Sequence, residues 1–179
     1  MPKFKVKGFK VKGFKVKGFK VKGFECVSGG SMPYYRNSEG KLMFLFQKKF
    51  NHKWPNIFQY EDWGGKSSKE DSCIEDCIAR ETDEETNKVL DRGEILKYLK
   101  GKNKVLMVNR GCKYAIAFIP LPSQIDTEAF GTYEITPDNY RINRIAEWVP
   151  ADDIWNMDKK ICHPRIRNLL KKILIYKSI

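Results

Sequence analysis

The sequence predicts a mixed α/β domain over residues 24–179 behind a basic low-complexity arm over residues 1–23, and three observations carry that prediction. Short apolar runs bounded by turn residues recur on both sides of residues 64–99, the pattern of strands. Between them Ile74, Cys77 and Ile78 stand at i, i+3 and i+4, the stripe of a helix with one face on a core. Ahead of both, the pentapeptide FKVKG starts at Phe4, Phe9, Phe14 and Phe19.

The repeat sets the arm apart. A period of five matches neither the two-residue strand nor the 3.6-residue helix. Phe4 and Val6 would share one strand face and Phe9 and Val11 the other, unless each glycine made a bulge or turn. The arm is therefore expected to be extended or mobile, with its last unit able to join the domain's first strand. It also holds most of the net charge of +12: nine of the 34 basic side chains are lysines of residues 1–23, which contain no acid. That leaves 25 basic against 22 acidic side chains in the rest of the chain. Lysines interleaved with phenylalanines suit phosphate contact and base stacking. A duplicated tail with only non-specific polyanion affinity accounts for the same composition.

The elements follow in order. Strands are expected at Glu25–Val27, Met32–Tyr35 and Leu42–Lys48, the last two joined by the turn Asn37-Ser38-Glu39-Gly40. A Trp54-Pro55 loop leads through Ile57–Trp63 to a helix at about Ser72–Thr86. Ser72-x-x-Glu75 has the spacing of a capping box for its first turn. A short helix near Glu94–Leu99 precedes Lys104–Val108 and Lys113–Ile119, a hairpin across Asn109-Arg110-Gly111. Pro122–Pro137 reads as a long irregular connection, Arg144–Val149 as a strand. Pro164 opens a closing helix with Ile166, Leu169, Leu170 and Ile173 on one face.

Composition excludes several classes. With 179 residues the chain can bury a core of its own. No run approaches the ~18 apolar residues of a membrane span, and the N-terminus lacks the apolar core of a secretion signal. Cys26, Cys73, Cys77, Cys112 and Cys162 form no CxxC pair, and His52 and His163 are isolated. Buried reduced thiols and a cytoplasmic setting are expected rather than disulfides or a zinc cluster.

The chemistry concentrates in Gly64–Glu85, GGKSSKEDSCIEDCIARETDEE. Glu81, Glu84 and Glu85 fall at i, i+3 and i+4 on one helical face. Carboxylates so close raise one another's pKa unless a cation sits among them, and hard divalent ions favour such oxygens beside a phosphate. An acidic solvated helix face with Arg80 paired to its neighbours is the plainer alternative. Gly64-Gly65-Lys66 followed by Arg80-Glu81-x-x-Glu84-Glu85 resembles the Nudix box, in which a loop, helix and loop hold a metal ion against a diphosphate. Eight residues rather than seven separate Asp71 from Arg80, and the loop acid is Asp71, or Glu70 in a shifted register. Thr82 and Lys88 replace apolar positions, and Asn87 stands in place of glycine, which left-handed backbone tolerates. Ala146–Ile154 resembles the late strand and short helix of many members, and Asn143–Glu147 is similar to decapping-type Nudix proteins of large DNA viruses.

The resemblance implies an α/β/α sandwich with a mixed sheet and a pyrophosphohydrolase using Mg²⁺ or Mn²⁺. It further implies that Glu81, Glu84 and Glu85 hold metal, directly or through water, with a carbonyl of Gly64 or Gly65, Glu84 and Glu85 foremost and Glu81 as ligand or proton acceptor, while Arg80 orients the glutamates. Glu147 is the candidate for an acid from outside the box, with an exposed strand residue as its alternative. Lys48 and Lys66 are candidates to reach substrate phosphates, and Trp63, with Trp54 and Tyr60, to stack on a base, although such aromatics also suit a core. Candidate substrates are a free nucleotide derivative, capped RNA held by the basic arm, or a diphosphoinositol polyphosphate. A non-catalytic Nudix-fold protein that binds RNA or a nucleotide stands beside them. Oligomeric state is open.

Overall fold

A computed structural model of the chain describes residues 17–50, 57–135 and 141–166. The last FKVKG unit opens it as a hairpin of β1 (Phe19–Val21) and β2 (Phe24–Cys26), pairing Phe19 with Cys26 and Val21 with Phe24. Lys22 and Gly23 turn the chain with φ of 50° and 83°, the positive pair that a two-residue hairpin loop requires. The face reversal that a period of five imposes is thus resolved by a turn at the glycine. The hairpin runs across the boundary between residues 23 and 24, and Val21 is buried in the domain core.

β3 (Ser28–Arg36) and β4 (Leu42–Phe50) follow, joined through the expected turn, where the Asn37 side chain accepts from the Glu39 and Lys41 amides. They pair only at residues 34–36 and 42–44 and then diverge. The fork is filled by β5 (Phe58–Glu61), paired with β4, and β6 (Trp63–Lys66), paired with β3. The sequence had suggested a plain approach to the helix there. β6 can lie close to β3 because Gly64 faces Gly30, and a Cβ on either would collide with the opposing strand and the Tyr114 hydroxyl.

Two helices come next, α1 (Ile74–Glu85) and α2 (Arg92–Lys100). The expected capping box is not formed. With Cys73 at the N-cap, the acid in the third helical position is Asp76, which accepts from the Ser72 amide and hydroxyl, while Glu75 pairs with Lys104 at 2.7 Å. α2 is capped by Asp91, whose side chain accepts from the Glu94 amide.

β7 (Val105–Asn109) and β8 (Tyr114–Pro120) form the expected hairpin, and β8 lies parallel to β3. The connection expected to be irregular contains a 3₁₀ turn at Thr127–Phe130 and a short strand β9 (Tyr133–Ile135). β10 (Arg141–Pro150) pairs with β9 and β4, and α3 (Ala151–Asn156) follows directly. The eight-stranded sheet runs β7-β8-β3-β4-β10-β9, with β5 and β6 in the fork.

Both sheet faces are covered. Leu45, Trp63, Ile78, Leu99 and Ala117 belong to the core beneath α1 and α2. Phe44, Phe46, Phe118, Ile154 and Ile166 belong to the core on the α3 side. The fold is a mixed α/β sandwich. Residues 164–166 begin a helix as Pro164 suggested; Leu169, Leu170 and Ile173 lie outside the described residues, as do Trp54 and residues 1–16. All five cysteines are free thiols. Cys26, Cys77 and Cys162 are buried as expected, but Cys73 is only half-buried at the N-cap of α1 and Cys112 is exposed in the β7–β8 turn. Among the described residues no helix is long and apolar enough to cross a membrane.

Candidate functional site

α1 divides along its length as its stripe predicts. Ile74, Cys77 and Ile78 enter the core, and its last two turns carry Glu81 and Glu85 towards the β6 end of the fork. Thr82, at a position expected to be apolar, is fully buried because its hydroxyl donates to the Ile78 carbonyl (2.7 Å) and pairs with the Ser31 hydroxyl (2.8 Å). The helix stops where Asn87 and Lys88 take φ of 53° and 64°, and the Asn87 amide donates to the Phe130 carbonyl. Asparagine therefore does what glycine would do at a helix end, and adds a tie to the next loop.

Arg80 is the junction of the site. Its Nε and one terminal nitrogen grip both oxygens of Asp71 at 3.0 Å, and that second nitrogen also donates to the Lys66 carbonyl at 2.9 Å. Its other terminal nitrogen reaches Glu81 at 2.8 Å and Glu84 at 3.0 Å. Asp71 is completely buried and accepts the Ser68 amide at 2.7 Å, whereas Glu70 is exposed, so of the two loop acids it is Asp71 that Arg80 holds. Burial alone would raise the Asp71 pKa, but the hydrogen bonds from Arg80 and Ser68 and the charge of Arg80 hold it below the usual carboxylate range.

The three glutamates have different surroundings. Glu85 is buried; it accepts from the Gly64 amide and the Gln47 side chain at 2.5 Å each, and Lys49 stands 3.1 Å from its other oxygen. Glu81 lies directly against Gly65, leaving no room for a Cβ there. Burial pushes the Glu81 carboxyl up to about 7; contact with Arg80 opposes this, and the charges of Glu85 and Glu84 add to it. Glu84 is exposed, with 57% of its side chain accessible. Among the described residues no three His, Cys, Asp or Glu side chains stand close enough to hold one metal ion. The site's own cations, Arg80 and Lys49, engage the carboxylates instead.

Other expected members lie elsewhere. Lys48 and Glu147 are on the opposite face of the sheet. Residues alternate along β4, so Gln47 and Lys49 share the α1 side with Leu45, while Phe46 and Lys48 face α3. Glu147 is paired across from Phe46 and therefore points the same way, accepting from the Tyr60 hydroxyl at 2.8 Å with Lys48 3.5 Å away. Lys48 itself sits 4.2 Å over the Phe58 ring. The Tyr60 ring is buried in the α3-side core. Trp63 is wholly buried, its indole N–H donating to the Leu45 carbonyl and its ring packed on Phe130, so it has no face free for a base. Lys66 is exposed at the end of β6, beside Gly65.

Three residues of this site were not picked out by sequence: Gln47, Lys49 and Glu61. Gln47 is fully buried, donates to the Asp62 carbonyl as well as to Glu85, and accepts from Arg144. Lys49 also stands 3.7 Å from Glu61, which is paired across from Gln47. The available signal was weak: Gln47 and Lys49 alternate with Leu45 at the end of an apolar run, but Lys48 between them is equally polar.

No protein-family model and no curated protein matches the chain. Among solved structures the chain is similar to a Nudix hydrolase from M. smegmatis, at 11% sequence identity and a TM-score of 0.47, over 86% of this chain and 89% of that one.

Proposed function

We propose that the chain is a Nudix-type hydrolase that cleaves a diphosphate linkage in a nucleotide derivative or capped RNA with the aid of Mg²⁺ or Mn²⁺. The observation that carries this reading is the meeting of Glu81 and Glu85 with the Gly64-Gly65 end of β6, braced by Arg80 on the Asp71 loop. By chemical type the donors suit a hard divalent ion, although Glu81, Glu84 and Glu85 do not converge on one point in this structure. Glu81, Glu84, Glu85 and the Gly65 carbonyl offer only oxygens, and the close approach of Glu81 to Gly65 brings a side chain and a strand end to one place. When bound there, the ion supplies charge neutralisation to the diphosphate oxygens and a lowered pKa to its water.

The chain's own residues do the rest. Glu81 is the candidate proton acceptor: burial and the charges of Glu85 and Glu84 raise its carboxyl, and a cation bound beside it would lower it again and keep it ionised. Arg80 is a positioning residue, since its guanidinium is committed to Asp71, Glu81, Glu84 and the Lys66 carbonyl. Lys66, exposed beside the glycines, is the lysine suited to a substrate phosphate, and Lys48 is not, because it faces α3.

The second reading, a non-catalytic Nudix-fold binder, draws on Lys49 already neutralising Glu85. Hydrolysis assays with Mg²⁺ or Mn²⁺ on capped RNA, nucleoside triphosphates, sugar nucleotides and a diphosphoinositol phosphate separate the two. Metal-dependent turnover that disappears in Glu85→Gln, with an unchanged circular dichroism spectrum, supports the hydrolase. Binding of a nucleotide or RNA with no turnover of any of them supports the binder.

A further inference from the structure

The two oxygens of Glu85 are not equivalent. Oε2 accepts from neutral donors, the Gly64 amide and the Gln47 side chain, at 2.5 Å each. Gln47 is itself fixed, because its amide nitrogen donates to the Asp62 carbonyl at 2.7 Å and its oxygen accepts from Arg144 at 3.2 Å. Oε1 faces a charge instead, with Lys49 Nζ at 3.1 Å. Two donors already use the lone pairs of Oε2, so a cation that binds Glu85 has to share Oε1 with Lys49.

The two cations of the site differ in how firmly they are placed. Arg80 grips both Asp71 oxygens, the Lys66 carbonyl, Glu81 and Glu84, and its planar fork cannot leave one partner without disturbing the rest. Lys49 makes a point contact from the end of a flexible stem. A second acceptor stands beside it, since Glu61 Oε2 is 3.7 Å from Nζ and also meets Arg165 at 3.2 Å. Glu61 is paired across from Gln47, so Nζ can exchange Glu85 for Glu61 without leaving that face of the sheet. Lys49, Glu61 and Glu85 are all largely shielded from solvent, which keeps their charges unscreened.

We infer that Lys49 is a built-in counter-ion that competes with a divalent cation for Glu85, and that it transfers to Glu61 when the cation enters. The inference rests on the metal-assisted reading of this site and adds a residue of β4 that sets the cation affinity. An ammonium and a divalent ion on one carboxylate oxygen repel each other, so Lys49 weakens cation binding while it neutralises the acidic end of α1.

The test is Mn²⁺ binding to the full-length chain, read from the electron paramagnetic resonance signal of free Mn²⁺, with Tm measured in chelator and in Mn²⁺. Lys49→Met removes the competing charge and should tighten Mn²⁺ binding by about tenfold or more. Its Tm in chelator should fall, and its gain in Tm with Mn²⁺ should exceed that of wild type. Lys49→Arg keeps the charge and should stay within about threefold of wild-type affinity. In a Glu85→Gln background Lys49→Met should change affinity by less than about twofold, because the competition runs through Glu85. Glu61→Gln removes the second acceptor and should weaken Mn²⁺ binding by about threefold, and by less when Lys49 is already Met. Should Lys49→Met unfold in chelator, Lys49→Gln, which keeps a donor for Glu85 without the charge, should tighten binding in the same direction.

Mn²⁺ affinity that is unchanged or weaker in both uncharged variants overturns the inference. An equal loss from Glu61→Gln with and without Lys49 makes Glu61 a ligand and overturns the transfer. Tighter binding in Lys49→Met, with no turnover of any diphosphate by wild type, upholds the counter-ion and sinks the hydrolase reading. Metal-dependent turnover by wild type with no response of Mn²⁺ affinity to Lys49→Met does the reverse.

Discussion

Replacing Asp71 by Asn should destabilise the fold by about 3 kcal/mol, because Asp71 is a fully buried carboxylate whose two oxygens both hold Arg80 at 3.0 Å. Removing one partner of a buried ion pair costs about 3–5 kcal/mol, mainly through the charge left behind. Arg80 keeps Glu81, Glu84 and the Lys66 carbonyl, so its charge is not stranded, and the lower end applies. Asparagine also retains one acceptor oxygen for the Ser68 amide, which limits the loss further. In a chain of this length the change corresponds to a fall in Tm of roughly 6–12 °C. Urea unfolding is the direct assay, and the midpoint should move with the m-value unchanged. Glu70→Gln is the control: the side chain is exposed and should shift stability by less than about 0.5 kcal/mol. The sign of the pH dependence follows from the lowered Asp71 pKa. The contribution is present above the unfolded value near 3.9 and is lost as pH falls through the folded one, so wild type and variant should converge in acid. Equal effects of the two substitutions, or an Asp71→Asn loss below about 1 kcal/mol, would refute the argument that this acid ties loop to helix.

Glu147→Gln should leave metal-dependent hydrolysis within about threefold of wild type, while Glu85→Gln lowers kcat by at least about a hundredfold, since Glu147 faces α3; comparable losses in both would sink the face assignment. Trp63→Ala should cost about 3–5 kcal/mol by denaturant titration, and Trp63→Phe should leave nucleotide KM unchanged, because the indole packs on Phe130 rather than facing ligand. In the native protein a thiol reagent should modify Cys112 readily and spare Cys26, Cys77 and Cys162 until unfolding, with Cys77 further protected by burial that pushes its pKa up to about 12; rapid native-state labelling of Cys77 would contradict its placement.

Much of this architecture was written locally. The i, i+3, i+4 stripe of Ile74, Cys77 and Ile78 and the placement of Glu81 and Glu85 beyond it follow from helical geometry alone, so the acidic face of α1 could be read from spacing. The hairpin across Asn109-Arg110-Gly111 and the left-handed Asn87 were legible for the same reason, because turn chemistry depends on a few neighbouring residues. The capping box was misread because the cap is Cys73 rather than Ser72, and it is Asp76 rather than Glu75 that accepts from the Ser72 amide and hydroxyl.

The amphipathic helix, the β7–β8 hairpin and the grouping of Arg80, Glu81, Glu84 and Glu85 were thus determined by sequence, each by contacts within one or two turns, whereas β5, β6 and β9 were not. What only the tertiary structure decided is which strand residues meet that helix. Met43-Phe44-Leu45-Phe46 is an unbroken apolar run because β4 is buried on both faces, and such a run carries no alternation to say which side is which. Gln47 and Lys49 therefore joined Glu85, Lys48 and Glu147 were sent to the far face, and Trp63 became core, through pairings between segments that are distant along the chain.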